Sequence, residues 1–330
     1  MTFPKILPCA LAMLVTLSVA QTPTQPTAPP TSPSASTTTL PITQIRKTVV
    51  FLQLRCRDGD QEYDARGTGF FVGYQDTRLG KGREFNYLVT NRHVALCWNG
   101  PGHPMQVENI QMSMNRREGD TGLSVEQGFL SAHGNVAWIL PEDDSVDLAV
   151  LPLAPDPMRF DFLVFPFELL ATKDFLHQNG VVEGEPVIFA GFFYQFPGTR
   201  RIEPIVRQGI IAMMPDEKFP LGGIQENLYL ADAHVFQGNS GSPVFINLAG
   251  FRSNGTITTG TDYRLIGVIN GEVYEDENFN LQLVTTIRGT GQANSGISTI
   301  VPADELIKLL NDPRVQKVRD DAVKALVSPK

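Results

Sequence analysis

From Ile45 onward, short runs of β-branched and aromatic residues recur, each closed by Gly, Pro, Asn or Asp. That rhythm predicts strands, because apolar side chains repeating every second residue fit one face of a pleated sheet and Gly or Pro ends each run. Strands are expected over 48–55 (TVVFLQLR), 67–73 (GTGFFVG), 85–90 (FNYLVT), 134–140 (GNVAWIL), 147–153 (DLAVLPL) and 186–191 (PVIFAG). Further ones are expected over 204–212 (PIVRQGIIA), 227–231 (NLYLA), 242–247 (SPVFIN), 264–272 (RLIGVINGE) and 296–301 (GISTIV). Helical spacing emerges only after Pro302, where Leu306, Ile307, Leu309 and Leu310 form one apolar face. A second short helix is expected from Asp312 as cap with Pro313 in its first turn, turning Val315, Val318, Ala322 and Ala325 inward. So many strands with so little helix predict an all-β architecture, two small barrels acting as one functional unit. There is no internal repeat long enough for a solenoid or propeller.

Composition narrows the class. With 330 residues, 42% hydrophobic and 19% charged, the chain has the means to build a core and is not a disordered or fibrous protein. Its net charge of −8, without a run of Lys or Arg, argues against nucleic acid or an anionic membrane surface as partner.

The N terminus sets an expected compartment. Lys5 is the only charge in the first twenty residues, an apolar run extends from Ile6 to Ala20, and Ser18 and Ala20 supply small residues for a cleavage site. Residues 1–20 therefore read as a secretory signal cut after Ala20, the run being shorter than the roughly 20 residues of a spanning helix. No stable membrane insertion is expected after its removal, and the protein is expected to be secreted or periplasmic; an uncleaved anchor is the alternative. Residues 21–44 read as a Thr-, Pro- and Ser-rich linker, with too little apolar surface to fold. The folded domain is expected over 45–312, with a helical tail at 313–330. Cys9 leaves with the signal. Cys56 and Cys97 then remain in an oxidising compartment, as a disulfide or as two buried thiols.

Three segments carry candidate chemistry. At 237–243 the chain reads QGNSGSP, and glycine there lets the backbone aim the amides of Gly238 and Ser240 at one point, as an oxyanion hole requires. At 85–97 it reads FNYLVTNRHVALC, which puts His93 just beyond a buried strand, fixed by packing yet able to take a proton. At 143–153 it reads DDSVDLAVLPL, where Asp147 opens an apolar strand and is placed to orient an imidazole; Asp143 and Asp144 read as solvated turn residues. Each string alone suits an ordinary turn or cap equally well. The five histidines (His93, His103, His133, His177, His234) show no short metal-ligand spacing and the mature cysteines form no CxxC, so no metal is expected. No cofactor is expected either, since no Gly-rich phosphate loop follows a strand.

The order His93, Asp147, Ser240, with GTGFFVG before YLVTNRHV, then DLAVLPL, GNSGSPVF and LIGVIN, resembles the bacterial trypsin-like (chymotrypsin-fold) serine peptidases. ADAHVFQGNSG and GISTIVPADELIKLL are similar to the protease domain of the high-temperature-requirement (HtrA) family, and the likeness spans roughly residues 48 to 311. It implies a double six-stranded β-barrel, Ser240 as nucleophile, His93 as general acid and base, and Asp147 as its orienting partner. A peptide or protein substrate is implied to pair as an added strand along 267–272 (GVINGE). The pocket for the residue before the cut bond is implied at His234, Gln237, Asn270, Gly271 and Glu272. With His234 where trypsin-like enzymes place the side chain at the pocket base, small aliphatic, aromatic or acidic residues are expected there rather than Lys or Arg.

The chain also departs from that pattern. About 19 residues follow the closing helix, too few for the PDZ domain found in many relatives. Related proteases often bridge a cysteine just after the histidine, but Cys56 lies earlier than their usual partner. Asn239 stands where digestive relatives have an Asp that pairs with a freshly cut N terminus, so no such activation is expected. Residues 97–134 and 160–176 read as rewired loops, the latter with Phe residues as core anchors. The loop 191–201 (GFFYQFPGTRR) offers aromatics, Arg200 and Arg201 to a substrate or partner. A catalytically silent domain that keeps the groove as a peptide-binding module is the rival to the endopeptidase.

Overall fold

The computed structural model describes residues 42–97, 105–117, 124–127, 138–221, 223–282 and 286–327. The expected signal, the linker up to residue 41 and residues 134–137 of one expected strand lie outside them. Strands follow in chain order as β1 (Val49–Asp58), β2 (Gln61–Gln75), β3 (Glu84–Thr90), β4 (Gln106–Met114), β5 (Ser124–Gln127), β6 (Ala149–Pro152), β7 (Phe165–Pro166), β8 (Pro186–Gly191) and β9 (Ile205–Met213). They continue as β10 (Phe219–Leu221), β11 (Ile224–Glu226), β12 (Tyr229–Asp232), β13 (Pro243–Asn247), β14 (Gly250–Phe251), β15 (Ile257–Thr258), β16 (Tyr263–Gln282) and β17 (Thr286–Pro302). The helices are α1 (Ile42–Ile45), α2 (Arg92–Leu96), α3 (Lys173–Gln178), α4 (Ala303–Leu310) and α5 (Pro313–Val327).

The first half is a seven-stranded sheet in the order β5-β4-β1-β2-β3-β6, with β7 beside β2. Along this path it is open among the described residues. The second half closes into a six-stranded barrel, β12-β17-β16-β13-β8-β9. Strand β1 reads VVFLQLR because it is central: Val49, Val50, Phe51 and Leu52 are all buried, so both of its faces are covered. One apolar cluster joins the halves. Phe51 of β1 stacks on Phe192 just after β8, with ring centroids 4.2 Å apart, and Phe165 meets Phe245 of β13 at 5.1 Å. Phe160 and Phe165 thus anchor the stretch expected to be a loop.

Several elements differ from expectation for identifiable reasons. Strand β4 lies in the stretch read as a rewired loop, and its buried Ile110, Met112 and Met114 alternate at the strand period. The β16–β17 hairpin extends far past residue 272, to a Gln282–Thr286 pairing, through the polar run YEDEN, which carries no apolar spacing, before Phe279 and Leu281 alternate at the strand period. Around Trp138–Leu140 only an isolated bridge, Ile139 to Val150, takes the place of the expected strand. α1 occupies the end of the stretch read as linker and carries the fully buried Ile45. In α5, Val315 faces inward, but Val318 and Ala325 are exposed and Arg319 takes the inward place. The Arg319 guanidinium is held there by Tyr87 Oη (3.1 Å), the Leu310 carbonyl (2.9 Å) and the Tyr74 ring (4.0 Å).

Candidate active site

His93, Asp147 and Ser240 each stand at a strand boundary. Thr90 ends β3, and Asn91 in extended conformation leads into the one-and-a-half-turn helix α2 that carries His93. Asp147 precedes β6, and Ser240 precedes β13. Strand ends suit such residues because the backbone behind them is fixed by pairing while the side chain projects beyond the sheet.

The Asp147 carboxylate grips His93 twice. Its Oδ1 accepts the His93 backbone N–H at 2.9 Å, and Oδ2 lies 2.6 Å from Nδ1. The carboxylate fixes the Nδ1–H tautomer and leaves the Nε2 lone pair free. Asn91 Nδ2 donates to the Asp147 carbonyl at 2.9 Å, so the histidine segment and the aspartate loop are tied at the backbone as well. Buried Arg92 adds a second tie, donating to Asp144 Oδ1 and to the Pro141 carbonyl at 2.6 Å. Asp144 is an exposed turn residue, as expected, and its solvated carboxylate is also partnered by a guanidinium. Asp143 likewise pairs with Lys218 at 3.2 Å.

Burial opposes charge on the His93 imidazole, but the charge and hydrogen bond of Asp147 outweigh it and Glu226 adds to them, so its pKa lies above the ordinary 6.5. Glu226, on β11, has no motif around it and was not among the expected site residues. Burial, then repulsion from Asp147, pushes its carboxyl up to about 7, with His93 partly opposing. It reaches the site also through Asn270, whose Nδ2 lies 3.5 Å from Glu226 Oε2.

The turn around Ser240 is built on Asn239, which is fully buried. Its Oδ1 accepts from the Phe236 amide at 2.9 Å, and its Nδ2 donates to the Phe192 carbonyl at 2.8 Å. Gly238 (φ 96°) and Gly241 (φ 86°) both lie in the left-handed region. At Gly241 a Cβ would also fall 2.0 Å from the Thr68 carbonyl oxygen, so only glycine fits. Thr68 locks the turn to β2: its N–H donates to the Ser240 carbonyl at 2.8 Å and its hydroxyl to the Gly238 carbonyl at 2.7 Å. Among the described residues, the N–H groups of Gly238 and Ser240 meet no protein acceptor. The Ser240 hydroxyl donates to the Asn270 carbonyl at 3.1 Å rather than to His93.

Gln237, Gly238 and Ser240 line a cleft of about 470 Å³ with Asp64, Arg66 and Tyr194. The other expected pocket residues do not line this cleft. His234 is exposed and lies against Gly296, where an added Cβ would stand 3.4 Å from the ring. Asn294 links the Val235 carbonyl (3.1 Å) to the Glu272 carboxylate, which Tyr274 Oη also meets. Asn270 and Gly271 belong to β16 between these features. The loop after β8 contributes Tyr194, but Arg201 is engaged elsewhere, 3.1 Å from Asp161. Cys56 and Cys97 are joined by a disulfide, Cα atoms 6.1 Å apart, which pins the C-terminal end of α2 to β1. Among the described residues no cluster of His, Cys, Asp or Glu is arranged to hold a metal, and no helix is long and apolar enough to cross a membrane.

Sheet, barrel and the strand-end His, Asp and Ser together describe a peptidase architecture. Residues 67–250 match the trypsin-like peptidase domain family, and the chain belongs to it. Among solved structures it is similar to the MamO protease domain from Magnetospirillum magneticum in its apo form, at 18% identity over 82% of this chain and 98% of that one (TM-score 0.42). A second similar structure is the HtrA-type protease AlgW with tripeptide, at 16% identity over 82% of this chain (TM-score 0.44). There the chain spans 62% of the relative's length. No curated protein sequence matches the chain.

Proposed function

We propose that the protein is an exported serine endopeptidase, its catalytic domain spanning residues 45–312 behind a cleaved signal (1–20), a linker (21–44) and ahead of a helical tail (313–330). The observation that carries this reading is the His93–Asp147 pairing, together with a serine turn in which, among the described residues, the amides of Gly238 and Ser240 meet no protein acceptor. The Cys56–Cys97 disulfide supports an oxidising destination.

In the proposed reaction an extended peptide pairs with Asn270–Glu272, and its N–H displaces the Ser240 hydroxyl from the Asn270 carbonyl. Rotation about Cα–Cβ then brings Oγ to His93 Nε2. Oγ bonds to the scissile carbonyl carbon while its proton passes to Nε2, and the oxyanion is received by the amides of Gly238 and Ser240. Collapse breaks the C–N bond, and the departing amine takes the proton from His93. Water then repeats the sequence on the acyl-enzyme and frees Ser240. Exposed His234, with Glu272 held by Asn294, supports selection for small aliphatic, aromatic or acidic residues before the cut. Neither nucleic acid nor cofactor enters this scheme.

One observation favours a second reading. The Ser240 hydroxyl faces Asn270, not His93, as it would in a binding module that holds a peptide without cutting it. Digestion of a diverse peptide library separates the two: cleavage by the wild type that disappears in Ser240→Ala is expected, and equal peptide binding with no cleavage by either would favour the module.

A further inference from the structure

Resting on the peptidase reading, we propose that Arg66 and Tyr194 form a carboxylate-binding site on the leaving-group side of Ser240, so that substrates carrying a carboxylate just after the cut bond are preferred. The cleft that holds Ser240 and the Gln237–Gly238 turn is walled by Arg66 and Tyr194 and is not lined by Asn270–Glu272, the segment that takes the acyl part of the substrate. What lies in this cleft is therefore the portion that departs with the amine.

Arg66 immediately precedes Gly67 and Thr68, and Thr68 is bonded to Ser240, so its position relative to the nucleophile is set by the sheet. Its guanidinium lies over the Tyr194 ring, 4.4 Å from the centroid, and among the described residues it has no carboxylate partner. Stacking fixes the plane and leaves the N–H edge free, the arrangement that suits a planar carboxylate. Asp64, the one acid in the cleft, is 3.8 Å from Arg55 on the neighbouring strand. On the acyl side the charged groups are acidic: Glu226 meets Asn270 and Glu272 meets Asn294. The carboxylate is supplied either by an Asp or Glu side chain or by the C terminus of a short leaving peptide.

Fluorescence anisotropy on Ser240→Ala protein, with and without Arg66→Gln, tests the site. The probes are one amide-capped peptide with Asp or Asn at each of the first three positions after the cut bond, and a neutral version truncated there to a free carboxylate or its amide. Asp or the free carboxylate should bind about tenfold more tightly than its neutral counterpart, the scale of one charge-assisted pair, and Arg66→Gln should erase the difference. Whichever arm shows the gain identifies the source. Equal binding of charged and neutral peptides would overturn the site. In parallel, fluorophosphonate labelling of the wild type reads the reaction itself. Discrimination without labelling would sink the peptidase reading and leave the carboxylate site standing; labelling without discrimination would do the reverse.

Discussion

Asn239 offers a sharp perturbation because it has no chemical part in the proposed reaction and yet holds the turn to which that reaction is assigned. Asn239→Ala leaves the part-buried Phe236 amide and the fully buried Phe192 carbonyl without their partners at 2.9 and 2.8 Å. The buried carbonyl so abandoned costs about 1–3 kcal/mol, and the part-buried amide adds less. That is a large share of the roughly 5–15 kcal/mol by which a domain is stable. Both bonds converge on residues 236–240, so the cost is expected first as local opening of this turn. If the proposed oxyanion donors are disturbed, kcat should fall by about 10²–10³-fold. Thermal unfolding should fall by roughly 2–4 °C for each kcal/mol that reaches the global transition. Asn239→Asp should be no better, since a carboxylate would face the Phe192 carbonyl in place of a donor, and cutting the chain near Thr48 should not rescue it. Peptide hydrolysis and thermal denaturation of both variants supply the test. An alanine variant with wild-type kcat and melting temperature would refute the argument that Asn239 holds the oxyanion turn.

Other perturbations probe the charges and the cross-link. Because its neighbours hold the His93 pKa above 6.5, hydrolysis should be lost as pH falls through a midpoint above that value, and Glu226→Gln, by removing a negative neighbour, should move the midpoint down; a pH profile of kcat/KM that does not move would contradict the coupling. Glu226 binds its proton more tightly folded than unfolded, so its burial weakens the fold as pH rises from 4.5 toward 7. Glu226→Gln should accordingly raise the melting temperature at pH 8 and not at pH 4, and equal effects at both would argue against a buried, strained carboxylate. Opening the Cys56–Cys97 bridge, which spans 41 residues, should cost about 4 kcal/mol on the chain-entropy account, read from denaturant unfolding of the doubly alanine-substituted protein; two alkylatable thiols in unreduced, denatured protein would rule the bridge out.

The parts of the molecule that were legible in the sequence are those whose signal is local. Strands such as Pro186–Gly191 stand out because apolar residues are bounded by turn formers, and His93, Asp147 and Ser240 because each sits where such a strand begins or ends. Arg319 was not legible: a helix face read by apolar spacing allots its place to Val318, and only Tyr74, Tyr87 and the Leu310 carbonyl, distant in sequence, make a buried guanidinium tolerable. Glu226 was hidden for a similar reason, since nothing in IQE distinguishes it from a surface acid until β11 is folded over the His93–Asp147 pair. The stretch of β16 that reads YEDEN carries no apolar alternation, because its pairing is made by the backbone, and it masks the alternating Phe279 and Leu281 that follow.

The most direct measurement of the central claim is covalent labelling with a fluorophosphonate, followed by mass spectrometry to locate the adduct. An assembled His93–Asp147 pair makes Ser240 nucleophilic where an ordinary serine is inert, so the adduct should form at Ser240 alone and be absent from Ser240→Ala. Labelling should fall steeply in His93→Ala and by about 10⁴-fold in Asp147→Asn, whose fold is retained. Folded protein that stays unlabelled, or that labels equally well without His93, would contradict the account.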